Sequence, residues 1–178
     1  MAGRVRAAVD DWSSMTEGTL QEASVVTSGR TGSLYFEEMD EGLEMTSPGR
    51  TVSETDVVLF AGLSGDYNQL HTDAEYARDT RFGQRIAHGL LGLSIASGLA
   101  NRLGFIEGTA IAFMGLEWKF KAPILIGDTI AMTTRVLRKR EMRRLGGGIV
   151  VFGVAVTNQR GETAQEGEWT VLVKSRPV

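Results

Sequence analysis

The sequence predicts an α+β domain in which an antiparallel sheet curls around one long buried helix. Three observations carry this. Residues 88–102, HGLLGLSIASGLANR, place apolar or small residues on every side of a helical wheel, with only Asn101 and Arg102 polar at the far end. A helix that is apolar all round is one surrounded by protein. Four strand-like runs then follow, at 110–120, 129–137, 149–157 and 163–173, separated by AP, GD, GGG and QRGE turn chemistry. Finally, 178 residues with 42% hydrophobic side chains suffice for one core. A chain of that size buries roughly 70% of the surface its unfolded form exposes.

The elements follow in chain order. Residues 1–30 are rich in Ser, Thr, Gly and charge without a sustained apolar period, and are expected to form a flexible leader. Residues 31–178 form the single domain. The acidic cluster Glu37, Glu38, Asp40, Glu41 and Glu44 is expected to be solvated surface. Residues 53–63, SETDVVLFAGL, predict a short helix. Ser53 caps it, Glu54 and Asp56 suit the positive end of its dipole, and the region of Gly62 and Gly65 stops it. Asp73 caps a second brief helical turn over 73–78. In the buried helix Gly92, Ala96 and Ala100 fall at fourfold spacing, a strip over which another chain segment can pass closely. The basic run Arg135, Arg138, Lys139, Arg140, Arg143 and Arg144 lies against a hairpin expected at Gly146–Gly148 and is taken as a solvated strand end.

Composition excludes several functions. Cysteine is absent, which removes thiol nucleophiles, CxxC redox pairs, Cys-ligated zinc and iron–sulfur clusters. With 19 basic against 22 acidic side chains the net charge is −3, so no nucleic-acid partner is expected. The longest stretch without Lys, Arg, Asp or Glu, residues 86–101, is too short and too polar for a membrane span. A cytoplasmic location is the expectation.

The only two histidines, His71 and His88, lie between the first helix and the buried one. Acid–base chemistry near neutral pH is thereby concentrated in one short region. Asp66 and His71 are five residues apart and would be separated by roughly 140° on a continuous helix, so their convergence needs a turn. Gly65 and Asn68 are residue types that turns accept.

The segment SGDYNQLH closely resembles the hydratase motif of the MaoC-like, R-specific enoyl-CoA hydratase family. IAHGLLGLSIASG and WKFKAPILIGD resemble the same family, and the likeness extends over roughly 45–173. Gln69 stands where that motif usually has proline. The resemblance implies a hot-dog fold, dimerised through sheet edges, and reversible syn addition of water across a trans-2-enoyl thioester. Coenzyme A then arrives as part of the substrate, with no separate cofactor and no metal.

That chemistry needs a base for water, a group that orients it and returns a proton to Cα, and a donor to the thioester oxygen. His71 and Asp66 suit the first two roles. Asn68 is expected to fix the turn. Gly89 exposes a backbone N–H at the start of the buried helix, where developing negative charge is favoured. The resemblance points to the same glycine, and also to Ser97 as a polar group near the Asp–His pair. Asp73 and His88 are expected to be structural, and Lys119 and Lys121, alternating on one strand face, are a candidate phosphate contact. A metal set of Asp66, His71, Asp73 and His88 lacks any recognised ligand spacing. Ser64, in GLSGD, lacks the second glycine of a nucleophile elbow. The alternatives to a hydratase are a thioesterase on the same fold and a non-catalytic acyl-CoA-binding module.

Overall fold

In the computed structural model, residues 25–26 and 32–177 are described. The leader expected over 1–30 therefore lies mostly outside them; its residues Val25–Val26 form strand β1. The remaining strands are β2 (Glu44–Thr46), β3 (Arg50–Thr51), β4 (Ala110–Phe120), β5 (Thr129–Met142), β6 (Gly147–Asn158) and β7 (Thr163–Lys174). Helices are α1 (Glu54–Ser64), α2 (Gln69–Thr72), α3 (Ala74–Arg78) and α4 (Gly89–Leu103).

Helix α1 begins where the sequence signals it. The Ser53 hydroxyl accepts the Asp56 amide at 3.2 Å while the Asp56 carboxylate accepts the Ser53 amide at 2.8 Å, a reciprocal capping box. It ends at Gly65, whose φ of 76° is left-handed backbone that favours glycine. The chain thus turns sharply one residue before Asp66. Asp73 caps α3 by accepting the Tyr76 amide at 3.0 Å.

One sheet runs in the order β1-β2-β5-β6-β7-β4, with β3 also paired to β5. Its pairings are antiparallel except for the two-residue parallel contact of β1 with β2. Three of the expected strands are longer than the sequence indicates, β7 by a single residue. Gly147 and Gly148 belong to β6 rather than to the turn, which is a single 3-10 turn over Arg143–Leu145. Nor are the four long strands neighbours in sequence order. β4 pairs with β7, and the segment between β4 and β5 crosses over the start of α4, where the Ala87 amide donates to Ile124 O at 2.9 Å. This crossing builds one wall of the site described below.

Helix α4 lies against the concave side of the sheet. Leu91, Ile95, Ala96, Leu99 and Ala100 are buried with Ile130, Met132, Val136, Phe152, Val154 and Val171. The expectation of a helix enclosed on all sides needs correction, because Leu90, Ser94, Ser97 and Gly98 are exposed. A single sheet covers one side of a helix. β4 is an edge strand, and it exposes Ile111, Phe113, Met114, Leu116 and Phe120. Its pairing with β7 is irregular twice, between Ala110 and Ala112 and between Phe113 and Gly115.

The two charge runs meet each other. Lys139 lies 3.6 Å from Asp40, and Arg176, after β7, lies 2.9 Å from Glu38. Arg138 pairs instead with Glu168 at 2.8 Å. Among the described residues, no helix is long and apolar enough to cross a membrane.

Candidate active site

The α1–α2 turn is built from local side-chain bonds. Ser64 donates to Phe60 O at 2.7 Å and accepts the Asp66 amide at 3.2 Å. Asp66 Oδ1 accepts the Asn68 amide at 3.2 Å, and Asn68 Oδ1 accepts the Leu70 amide at 3.0 Å. Asn68 thus caps α2, the short helix that carries His71. Proline at position 69 would fix φ where Gln69 stands, but the side chains of Asp66 and Asn68 already hold this turn.

His71 Nδ1 lies 2.9 Å from Ile86 O. A carbonyl only accepts, so Nδ1 carries the proton and Nε2 is the basic nitrogen. His88 is buried at the N-cap of α4, with Nε2 2.9 Å from the main-chain carbonyl of Asp66. Its proton therefore sits on Nε2, and Nδ1 is enclosed without a hydrogen-bond partner. The two imidazoles stack with centroids 3.8 Å apart and planes inclined by 29°. Phe60 leans on His88 at 5.0 Å.

Asp66, His71 and His88 each bring one ligand atom to within 4.8 Å of the others. No recognised ligand spacing in the sequence announces this trio, and Asp73 is engaged instead at the α3 cap. The free nitrogen of His88 is fully enclosed, so a hydrated cation in the cavity would meet only two of the three donors.

Asp66, His71 and Gly89 line one open cavity of about 800 Å³, with Ser64, Arg81, Phe82, Phe120, Lys121, Ile124 and Gln165 among its other walls. Gly89 begins α4, and no side chain caps that helix end, which leaves its first amides available. A Cβ on Gly89 would come within 2.8 Å of the Phe120 ring. The start of α4 is therefore a bare backbone surface facing an aromatic wall.

Ser97 does not join this group. It lies eight residues beyond Gly89, about 12 Å along the helix axis, on the exposed face, where its hydroxyl donates to Ser94 O at 2.9 Å. Of the cations considered from the sequence, Lys121 lines the cavity, where it pairs with Glu166 at 3.0 Å, whereas Lys119 and the β5 run do not.

Two residues matter to the site beyond what their sequence signals indicate. His88 has the structural place expected of it, buried at the N-cap of α4, and from there it also touches both Asp66 and His71. Gln165, 2% exposed, donates to Gly89 O at 3.0 Å and accepts from Trp118 Nε1 at 3.1 Å. Its signal was present: an amide in register with Trp169, Val171 and Val173 on the inward face of β7.

Comparison with known proteins now decides the family, since the family model described as MaoC like domain matches residues 37–158. The chain belongs to the MaoC-like domain family. It is 39% identical over 143 residues to a protein of Rhodospirillum rubrum named (R)-specific enoyl-CoA hydratase, a match covering 80% of this chain and 93% of that one. The crystal structure of a MaoC-like dehydratase from the same organism superposes with a TM-score of 0.75 at 29% identity, covering 82% of this chain and 99% of that one. A Mycobacterium tuberculosis protein described as a double hot-dog fold superposes with a TM-score of 0.74 at 18% identity, covering 84% of this chain and 46% of that one. The MaoC-like domain described here accordingly has the hot-dog fold, its sheet wrapped on α4.

Proposed function

We propose that this protein is an enoyl-CoA hydratase, or 3-hydroxyacyl-CoA dehydratase in reverse. The observation that carries this is the meeting of the Asp66 carboxylate and the His71 ring, within 4.8 Å, in a cavity that also reaches the open start of α4. The name of the Rhodospirillum rubrum relative supports the same reaction and its (R) stereochemistry.

A water held between Asp66 and His71 Nε2 gives a proton to His71 as its oxygen bonds to Cβ of the trans-2-enoyl thioester. The C=C electron pair moves toward the thioester, and the Gly89 N–H stabilises the oxygen that gains charge. Collapse of this enolate takes a proton onto Cα from the Asp66–His71 pair, which returns to its starting state. The two groups share the proton transfers. Water is added whole and no electrons are transferred, so the reaction requires no redox cofactor, and the two side chains supply its proton transfers without a metal. Coenzyme A enters as the carrier of the acyl group.

The partner in assembly is a second copy of this chain. An edge strand with Ile111, Phe113, Met114 and Leu116 exposed is a surface that pairing covers. A cytoplasmic setting, where acyl-CoA is dissolved, completes the reading.

The test is loss of enoyl absorbance from crotonyl-CoA, measured beside release of free thiol. Hydration with (R)-3-hydroxybutyryl-CoA as product is the expected result. Thiol release without hydration would make the protein a thioesterase, and binding without either reaction would make it an acyl-CoA-binding module.

A further inference from the structure

The turn that carries the Asp66 carboxylate is exposed, and nearly all its hydrogen bonds are internal. Apart from the main-chain carbonyl of Asp66, the hydrogen-bonding groups of Ser64, Asp66, Tyr67 and Asn68 bond within residues 60–72. Among the described residues, one hydrogen bond ties 64–68 to the rest of the protein, and it comes from His88 Nε2 to Asp66 O. The same ring stacks on His71 at 3.8 Å and directly precedes Gly89.

His88 therefore touches the carrier of the acid, the ring of the base and the backbone that leads to the donor amide. We propose that His88 is a positioning residue for hydration, fixing where the Asp66 carboxylate stands relative to His71 Nε2. This inference rests on the hydratase reading above and adds a residue to it.

The enclosed Nδ1 supports this. A buried acceptor left without a donor is destabilising, and Nδ1 of His88 is such an atom. A side chain serving only to fill space here would be better apolar. What an apolar side chain lacks is the Nε2–H that holds the Asp66 carbonyl. The stack explains the ring: a flat face against His71 limits its tilt while Ile86 O holds its Nδ1. Misplacing a catalytic group by about 1 Å can cost 100-fold in rate, so this tie is read in turnover before substrate affinity.

Two variants separate the parts of the role. His88→Phe keeps a ring for the stack and removes the donor, whereas His88→Gln keeps an amide donor near the Nε2 position and removes the ring. His88→Phe is expected to lower kcat by about 30- to 100-fold, with KM kept within about threefold. His88→Gln is expected to fall between that variant and the unaltered protein, a partial rescue that loss of packing would not produce. A kcat for His88→Phe within about twofold of the unaltered protein overturns the proposal, as does a His88→Gln variant no better than His88→Phe.

Should His88→Phe not fold, the unaltered protein still decides. The chain has two histidines, so 15N-histidine spectra at neutral pH show two rings. The expected result is opposite tautomers, Nδ1–H for His71 and Nε2–H for His88, and a proton on Nδ1 of His88 overturns the tie to Asp66. If the unaltered protein hydrates no enoyl-CoA, the hydratase reading falls while the spectrum still tests the tie. If it does hydrate and the variants turn over normally, this inference alone falls.

Discussion

The side-chain amide of Gln165 occupies the place where a side chain on Gly92 would stand: a Cβ added to Gly92 would lie 2.3 Å from Gln165 Nε2 and 2.7 Å from Ile124 Cδ1. From there Gln165 reaches Gly89 O, one turn earlier on α4, and Trp118 on β4. The missing side chain at position 92 thus lets β7 grip the start of the helix.

Gly92→Ala should therefore destabilise. Alanine favours a helix by about 1 kcal/mol over glycine, but overpacking at a site this close costs about 1–3 kcal/mol and displaces the Gln165 contact to Gly89. Gly98, in the same helix with nothing within 4 Å of an added Cβ, provides the control. Thermal melts should show Gly98→Ala at or above the unaltered protein and Gly92→Ala below it; equal melting temperatures would contradict this packing.

Asp66→Asn and His71→Gln should each lower turnover of crotonyl-CoA by about 100- to 10,000-fold. Neither change removes a wall of the cavity, so binding of a saturated acyl-CoA, followed by calorimetry, should persist. Unchanged turnover in either variant would remove that residue from the mechanism.

Asp128 predicts an acid-side loss of stability. Burial opposes ionisation of its carboxyl, but hydrogen bonds from Arg160, the Leu125 amide and Gln159 outweigh it and hold the group below its ordinary value of 3.8. A carboxyl with its pKa lowered by folding stabilises in full above the unfolded value and loses that contribution as pH falls through the lowered folded value. Asp128→Asn should cost about 1.5–3 kcal/mol near neutrality, less the part screened at the half-exposed Arg160. Denaturant midpoints compared at pH 7 and pH 3 should show the gap between variant and unaltered protein narrowing at the lower pH. A gap that widens would contradict the assignment.

Met114→Lys should shift the protein toward single copies. Met114 is 53% exposed on the edge strand β4, and a lysine there places like charges together across any paired edge. Sedimentation equilibrium should report the mass of two chains for the unaltered protein and a lower average for the variant. One chain in both would dismiss the paired edge.

Much of this was legible in the sequence, for local reasons. Ser53 with Asp56, Asp73, and the strand-like run of 110–120 bounded by turn chemistry are short-range signals, and each element starts where they place it. The Asp66 turn was legible because Gly65 and Asn68 act on their immediate neighbours. Pairing of β4 with β7 was not, since nothing within either strand states that the crossing segment separates β4 from β5. Gln165 reaches Gly89 across 76 residues, and His88 reaches Asp66 across 22. Ser97 was misplaced for a related reason: membership in the right helix does not settle which turn, or which side, meets the cavity.

The two departures from regular pairing in β4 carry a consequence for self-association. A straight rim can accept the same rim of a neighbour at many offsets and so extend into a fibre. A rim bent at Ala110–Ala112 and again at Phe113–Gly115 fits its own copy at few alignments, and a two-fold contact uses up both. In a protein whose copies pair along this rim, the irregularity that looks like a flaw in the ladder would act as a stop signal for polymer growth.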